Sequence, residues 1–281
     1  MQIIIVWMQI IVVRIGNHAC LDEGQDRIEG FAMIDRLAPS QRPRQRAVMR
    51  QKWRDLLFIH WPIDPQALRP LIPPQLELDL FEGSAYVGLV PFTMTGVRPV
   101  GLPAIPWLSR FHETNVRTYV RLADREPGVW FFNLDAANSI AVLLARRLFH
   151  LPYHYARMFL EHESTPHPLQ RASILYAGTR RWPGPLPASY FIRAIPVGPS
   201  QPAPVGTLEH FLVERYILFT AWKSRVYQGR VHHTPYPLQS AEVLSLDETL
   251  LTANGIERPE IAPLAHFAAG VNVEVFPIRS I

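Results

Sequence analysis

The segment LLARRLFHLPYHYARM, residues 143–158, determines how we interpret the rest of this chain. Its first half has the apolar pattern of a helix and carries Arg146. Pro152 ends this helix, because proline has no N–H to donate and pushes the residue before it out of the α region. Tyr153 and His154 follow directly. The sequence therefore predicts a rigid element that presents polar, titratable side chains at one fixed point.

A strand predicted at Phe111 to Leu122 is the second informative element. Alternation places polar side chains on one of its faces, namely Glu113, Asn115, Arg117 and Tyr119. The next run, VWFFNL at residues 129–134, is apolar on both faces, which predicts that this part of the sheet is covered. Because an unpaired buried charge is costly, Glu113 and Arg117 either form a structural ion pair or line a functional site. The sequence leaves both interpretations open.

The remaining chain predicts an α+β fold that is mainly β. Its 27 prolines lie in short loops between apolar runs, a pattern that favours many short strands over long helices. We predict hairpins at residues 76–93 and 215–232. Asp64, Asn138 and Thr207 are predicted to cap short helices, because each precedes an apolar run with a side-chain oxygen that can accept from free backbone N–H groups.

We expect the chain to divide into a poorly ordered leader, residues 1–48, and a single domain, residues 49–281. The apolar run Met1 to Val13 is shorter than the roughly 20 residues that a spanning helix needs. No positive charge precedes this run, as a secretory signal would require. The single cysteine, Cys20, fits a reducing compartment. We therefore expect a cytoplasmic protein that does not bind a membrane.

Several classes of function lack support in the sequence. The net charge of +4 comes from mostly scattered arginines, whereas a nucleic-acid binder would more often show a basic face with interleaved aromatic residues. The chain lacks the glycine-rich dinucleotide motif, the P-loop motif and the G-x-S-x-G motif. His150 and His154 are four residues apart, but Pro152 breaks the helical face that a metal pair would need. We expect neither a nucleic-acid partner, nor a cofactor, nor a metal.

Six longer motifs occur in order from Leu56 towards the C terminus: LLFIHWPIDPQALRPLIPPQLELDLFEGSAYVGLVPF, FHETNVRTYV, GVWFFNLDA, ARRLFHLPYHYARM, GTLEHFLVERYILF and HHTPYPL. Together they resemble a bacterial family of uncharacterised proteins of the YqjF type. That family is distantly similar to acetoacetate decarboxylase. The similarity implies an antiparallel β-barrel, closed or nearly closed, with a few short peripheral helices and a central cavity.

The resemblance also extends to single residues. Acetoacetate decarboxylases have an arginine just ahead of the first core strand, which Arg54 matches, and a pocket glutamate, which Glu113 matches. Arg146 matches an arginine in their helix motif. In that motif a proline precedes two lysines, one of which forms a Schiff base while the other lowers its pKa. Here the proline is followed by Tyr153 and His154, so the resemblance implies a related pocket without the nucleophilic amine.

The loss of that amine excludes the chemistry of the relatives. Neither a phenol nor an imidazole can form an imine. The two lysines of the chain, Lys52 and Lys223, precede the first strand and lie at a predicted hairpin turn, so neither is expected to act as a substitute. We predict no amine-dependent decarboxylation.

Three functions remain open. The first is an enzyme that performs enolisation, hydration or lyase chemistry on a small oxo-compound. Its predicted catalytic residues are Glu113, Tyr153 and His154, and its predicted ligand-binding residues are Arg54, Asn115, Arg117 and Arg146. The second is a non-catalytic module that binds a small anionic or apolar ligand, and the third is a structural protein. The apolar loop at residues 97–107 could also support a homo-oligomer.

Overall fold

The computed structural model describes residues 34–122, 126–163, 172–222 and 225–281. In this part the chain is mainly β, as predicted. The strands are β1 (Met49–Ile63), β2 (Glu77–Leu78), β3 (Ala85–Pro99), β4 (Phe111–Arg121), β5 (Pro127–Ala136), β6 (Tyr153–Glu163), β7 (Ser173–Trp182), β8 (Ser189–Gln201), β9 (Ile217–Trp222), β10 (Arg225–His232), β11 (Leu238–Glu248), β12 (Leu264–Val275) and β13 (Arg279–Ser280). The α-helices are α1 (Pro65–Leu68), α2 (Pro106–Ser109), α3 (Ser139–Leu148) and α4 (Leu208–Val213), and short 3-10 turns cover Ala38–Ser40, Arg69–Leu71 and Thr252–Asn254.

All the described strands belong to one sheet in the order β13-β10-β9-β5-β6-β7-β8-β11-β12-β1-β3-β4-β2. Two further pairings, β5 with β4 and β10 with β12, connect strands that are distant in this order. The expectation of a purely antiparallel sheet is wrong at β5, which pairs in parallel with both β6 and β9. The parallel pairing of β5 with β6 is possible because α3 lies between them and carries the chain back, as a parallel connection requires.

The predicted helix starts are confirmed by their capping hydrogen bonds. The Asn138 side chain accepts from two backbone N–H groups at the start of α3. Asp64 does the same for the N–H of Gln66, and Thr207 for that of His210. The helix α3 ends at Leu148, the end that the sequence predicts. The predicted cause is wrong, because the chain already leaves the helix at His150, which has a left-handed backbone with φ +53° two residues before Pro152.

One of the two predicted hairpins is wrong. The hairpin at residues 215–232 is confirmed as β9 and β10. In the segment 76–93, however, β2 pairs with β4 and not with β3. The reason is that β3 has both edges occupied, since it pairs with β1 on one side and β4 on the other. Only an isolated bridge between Phe81 and Ser84 remains of the predicted turn.

The sheet buries side chains on both of its faces, and the two largest of the three apolar clusters in the described residues lie on opposite faces. On β1, Phe58 belongs to one cluster, whereas its neighbours Leu57 and Ile59 belong to the other. On β4, Tyr119 packs in the first cluster and Val116 in the second. Alternation along each strand therefore decides which of two interiors a residue faces.

Residues 34–48, which the sequence analysis assigned to the leader, contact the domain. The Arg36 guanidinium donates two hydrogen bonds to the Asp79 carboxylate, at 2.5 and 2.6 Å. Arg42 pairs with Glu274 on β12, and Val48 is buried. The predictions for residues 1–33 and for Lys223 fall outside the described residues. Within the described residues, no helix combines the length and apolarity needed to cross a membrane.

Candidate functional site

A pocket of about 190 Å³ lies on the face of the sheet that carries the first apolar cluster. Strands β4, β5, β6 and β10 contribute to its wall, together with α3. Most of its side chains are apolar. Its ionisable side chains are Glu113, Arg117, Tyr153, Arg215, Arg230 and Tyr236. An apolar pocket with a few polar groups is the usual form of a small-molecule site.

Glu113 and Tyr153 form the central polar pair of this pocket. The Tyr153 hydroxyl donates a 2.6 Å hydrogen bond to Oε2 of Glu113. The two side chains meet because β5 lies between their strands, with Ala136 opposite Glu113 and Leu134 opposite Tyr153. Glu113 is only 2% exposed. The structure therefore brings together two of the three predicted catalytic residues.

Burial gives this pair an unusual protonation behaviour. Loss of hydration raises the pKa of Glu113 to about 8; the hydrogen bond from Tyr153 opposes the shift, and the nearby charge of Asp135 adds to it. Burial, followed by the Glu113 charge, raises the pKa of Tyr153 well above its ordinary value. Near neutral pH both groups therefore hold their protons. A carboxylic acid with a pKa close to working pH is suited to proton transfer.

Two arginines form a second polar region of the pocket wall. Arg117 lies on the same face of β4 as Glu113, four residues further on, which places the two Cα atoms about 13 Å apart. The Arg117 guanidinium donates to the Leu212 carbonyl at 3.0 Å and lies over the rings of Phe58 and Tyr119. Arg215 also lies over Tyr119. Within the described residues Glu113 and Arg117 form no ion pair, so that alternative is wrong.

His154 does not face the pocket. It follows Tyr153 on β6, and successive side chains of a strand point to opposite faces. The Nδ1 atom of His154 lies 2.8 Å from the Pro183 carbonyl oxygen, and burial lowers the pKa of this histidine. Asp135 and Arg180 form an ion pair on the same side of the sheet. The expectation that Tyr153 and His154 act in one site is therefore not supported by their placement.

The three other predicted ligand-binding residues are not part of the pocket wall. Arg54 donates to the carbonyls of Trp53 and Val271 and to the Asn272 side chain. Arg146 donates a 2.6 Å hydrogen bond to the Tyr153 carbonyl, so it positions the backbone of that residue. Asn115 is buried on β4 between Glu113 and Arg117.

Arg215 is one of three ionisable pocket residues that sequence reasoning missed, together with Arg230 and Tyr236. It follows α4 directly and donates to the Phe211 carbonyl at 2.7 Å and to the Asp79 carboxylate at 2.7 Å. Nothing in its sequence spacing separates it from a surface arginine, because its partner Asp79 is far away along the chain. Only the fold reveals that it is buried.

The structure also bears on metal and amine chemistry. Within the described ranges, no three His, Cys, Asp or Glu side chains gather closely enough to hold a metal ion. The described part of the chain contains one lysine, Lys52, which is exposed on β1 and absent from the pocket wall. No amine in the described residues is placed to attack a ligand in this pocket.

Comparison with solved structures shows which fold this is. The acetoacetate decarboxylase of Legionella pneumophila is 13% identical, with a TM-score of 0.56 over 92% of this chain and 98% of its own. An acetoacetate decarboxylase-like enzyme from Sphingomonas wittichii is 12% identical, with a TM-score of 0.55 over 84% of this chain and 94% of its own. The enduracididine biosynthesis enzyme MppR, complexed with pyruvate, is 12% identical, with a TM-score of 0.57 over 84% of this chain and 91% of its own. The fold is thus similar to that of acetoacetate decarboxylase, as expected.

Sequence comparison identifies the family. A protein of Bacillus subtilis described as "Uncharacterized protein YqjF" is 39% identical over 232 residues, which cover 83% of this chain and 92% of that protein. The model of the DUF2071 family, described as "Uncharacterized conserved protein", matches residues 50–272. The chain therefore belongs to the DUF2071 family, with relatives of the YqjF type.

Proposed function

We propose that the pocket binds a small oxo-compound and that Glu113 catalyses proton transfer to it without a Schiff-base lysine. The reaction class is enolisation, hydration or lyase chemistry. The observation that carries this proposal is the Glu113 carboxyl itself. It is 2% exposed, its pKa is raised to about 8, and it faces an apolar pocket with a tyrosine as its hydrogen-bond partner.

The hydrogen bond between Tyr153 and Glu113 assigns a different role to each of these side chains. Tyr153 donates to Oε2 of Glu113 and so fixes the orientation of the carboxyl group. The protonated carboxyl can then donate its proton to the carbonyl oxygen of a bound ligand. This donation stabilises negative charge on that oxygen while a water molecule either takes a proton from the carbon beside the carbonyl group or adds to the carbonyl carbon itself. Glu113 is the catalytic residue in this proposal, and Arg146 positions Tyr153 through its carbonyl.

We further propose that the sheet forms a barrel around this pocket. The pairing of β5 with β4 links two strands that are otherwise distant in the sheet, and the pairing of β10 with β12 does the same. Hydrogen bonding can therefore be followed from β5 through β9, β10, β12, β1, β3 and β4 back to β5, and the strands of this ring carry most of the pocket wall. Closure of this kind leaves an interior that can hold one small ligand.

A non-catalytic binding protein is the second candidate. The apolar nature of most of the pocket wall favours it, since apolar area supplies affinity without chemistry. The two candidates differ in one respect that can be measured. An enzyme converts its ligand and needs a side chain that can donate or accept a proton, whereas a binding protein releases its ligand unchanged.

The experiment starts with a thermal-shift screen of oxo-acids, aldehydes and lactones. Pyruvate is included first, because MppR, which shares the fold, has been solved with it. For each binder, proton NMR in D₂O then follows deuterium incorporation at the carbon beside the carbonyl. We expect Glu113→Gln to reduce exchange by about a hundredfold or more, the usual contribution of a general acid or base.

The matched control is Glu248→Gln. Glu248 is also a buried glutamate with a pKa raised by desolvation, but it accepts from the Leu251 N–H and lies outside the pocket wall. Its substitution should leave exchange unchanged. A ligand that binds the wild type without any exchange would instead support the binding protein, and exchange that survives Glu113→Gln would rule out Glu113 as the acid.

A further inference from the structure

The pocket wall around Tyr119 carries more positive charge than the protein itself balances. Arg117 and Arg215 both line the pocket, and both guanidinium groups lie over the Tyr119 ring, at 5.8 and 4.9 Å from its centre. Each arginine is only 8% exposed. Burial makes an uncompensated charge costly, so the partners of these groups decide what the region can bind.

The carboxylates near this region are already engaged. Asp79 accepts from both Arg36 and Arg215, so one negative charge serves two guanidinium groups. Glu214 accepts from the Tyr216 hydroxyl and from the Tyr236 N–H. Within the described residues Arg117 has no carboxylate within ion-pair distance, and its bonded partner is the Leu212 carbonyl.

Each of the two guanidinium groups also retains a free N–H donor. In the described part of the chain, Nε of Arg117 and one terminal nitrogen of Arg215 are buried without a hydrogen-bond partner. Buried polar groups nearly always find a partner. Two such donors, both cationic and both on the wall of one pocket, have the chemistry that recognises a carboxylate.

We propose that Arg117 and Arg215 form an anion subsite for the carboxylate of a long-chain ligand whose other end reaches Glu113 and Tyr153. Strand geometry separates the Cα atoms of Arg117 and Glu113 by about 13 Å. Most of the pocket wall is apolar. The ligand class that fits is an aliphatic oxo-acid in which several methylene groups separate the carboxylate from the carbonyl group. This inference rests on the proposed function in assuming that the pocket holds a ligand.

The first test needs no variant. Calorimetry compares decanoate with methyl octyl ketone, which has the same number of carbon atoms but no charge. We expect decanoate to bind the wild-type protein at least about tenfold more tightly, the usual worth of a charge-assisted hydrogen bond. Equal binding of the two compounds, or tighter binding of the ketone, would overturn the inference.

The second test separates the subsites. In Arg117→Met, which keeps the length of the side chain but removes its charge, decanoate should lose its advantage while the ketone binds as before. Arg117→Lys should restore part of that advantage. An advantage that persists in Arg117→Met would place the carboxylate elsewhere and overturn the inference.

A long oxo-acid, azelaic semialdehyde, links the two proposals. Its binding should weaken in Arg117→Met, whereas deuterium exchange beside its aldehyde group should fall in Glu113→Gln. If Arg117→Met weakens binding while exchange in Glu113→Gln equals that of the wild type, the anion subsite is supported and the proposed role of Glu113 fails.

Discussion

Glu113 and Asp79 are both carboxyl groups with 2% exposure, yet the fold gives them opposite properties. Burial would raise the pKa of Asp79 too, but hydrogen bonds and charges from Arg36 and Arg215 outweigh it, and the pKa falls below its ordinary value. Glu113 has a tyrosine as partner, and its pKa rises to about 8. The partner, rather than the degree of burial, decides whether a buried carboxyl carries charge.

This difference separates a carboxylate that joins parts of the fold from the carboxyl group that we propose to be catalytic. Asp79 is an anion that binds two arginines. Arg36 connects it to residues 34–48, and Arg215 connects it to the segment between α4 and β9. Glu113 is a neutral acid at the wall of a pocket. The predictions below test this contrast, beginning with the largest expected effect.

Replacing Asp79 should be the most damaging change. Asp79→Asn removes the negative charge that balances the buried Arg215. Breaking one side of a buried ion pair typically lowers the free energy of unfolding by about 3–5 kcal/mol. Urea denaturation at pH 7 measures this loss. Asp247→Asn, at an exposed position on β11, is the control and should change stability by less than about 0.5 kcal/mol.

The two carboxyls should also give opposite pH dependences of stability. A raised folded-state pKa means that Glu113 contributes stability below its unfolded value of about 4.5, and this contribution is lost as the pH rises towards 8. Asp79 contributes stability above its unfolded pKa that is lost as the pH falls through its lowered folded value.

Glu113→Gln isolates the first of these two contributions. Urea denaturation of the wild type between pH 5 and 8 should show a loss on the order of 3 kcal/mol that the variant lacks. Equal slopes for the two proteins across this range would show that Glu113 is ionised in the folded state and would remove the basis for its role as an acid.

Tyr153→Phe should have a smaller effect on stability and an informative effect on protonation. It removes the hydroxyl that donates to Oε2 of Glu113, which should lower the free energy of unfolding by about 1–2 kcal/mol. Since that hydrogen bond opposes the rise in the pKa of Glu113, its loss should raise this pKa further. Carbon-13 NMR of the labelled glutamate carboxyl measures the shift, and a lower pKa in the variant would contradict the assigned direction.

The sequence predicted the parts of this arrangement that depend on local rules. Asn138, Asp64 and Thr207 cap helices because capping needs only a side-chain oxygen at the right position. Alternation predicted that Glu113 and Arg117 share one face of β4, and the apolar run at residues 129–134 predicted that this face is covered, as it is.

Long-range partners could not be predicted in the same way. The Glu113 and Arg117 pairing was wrong because Tyr153 and the Leu212 carbonyl, both distant in sequence, compete for these side chains. The β2–β3 hairpin was wrong because pairing with β1 occupies the free edge of β3. His154 is a different case, since alternation along β6 already implied that it faces away from Tyr153.

The last prediction expects no change at all, namely that no amine of the protein forms a Schiff base with acetoacetate. Lys52, the one lysine in the described residues, is exposed and is not part of the pocket wall. Incubation with acetoacetate and borohydride should therefore leave the mass of the intact protein unchanged, for the wild type and for Lys52→Arg alike. An adduct on the wild type would mean that an amine reaches the ligand, and the neutral carboxyl of Glu113 would then serve to assist a Schiff base. Without an adduct, the contrast between Glu113 and Asp79 stands by itself: one buried carboxyl keeps its proton beside a tyrosine, and the other carries a charge between two arginines.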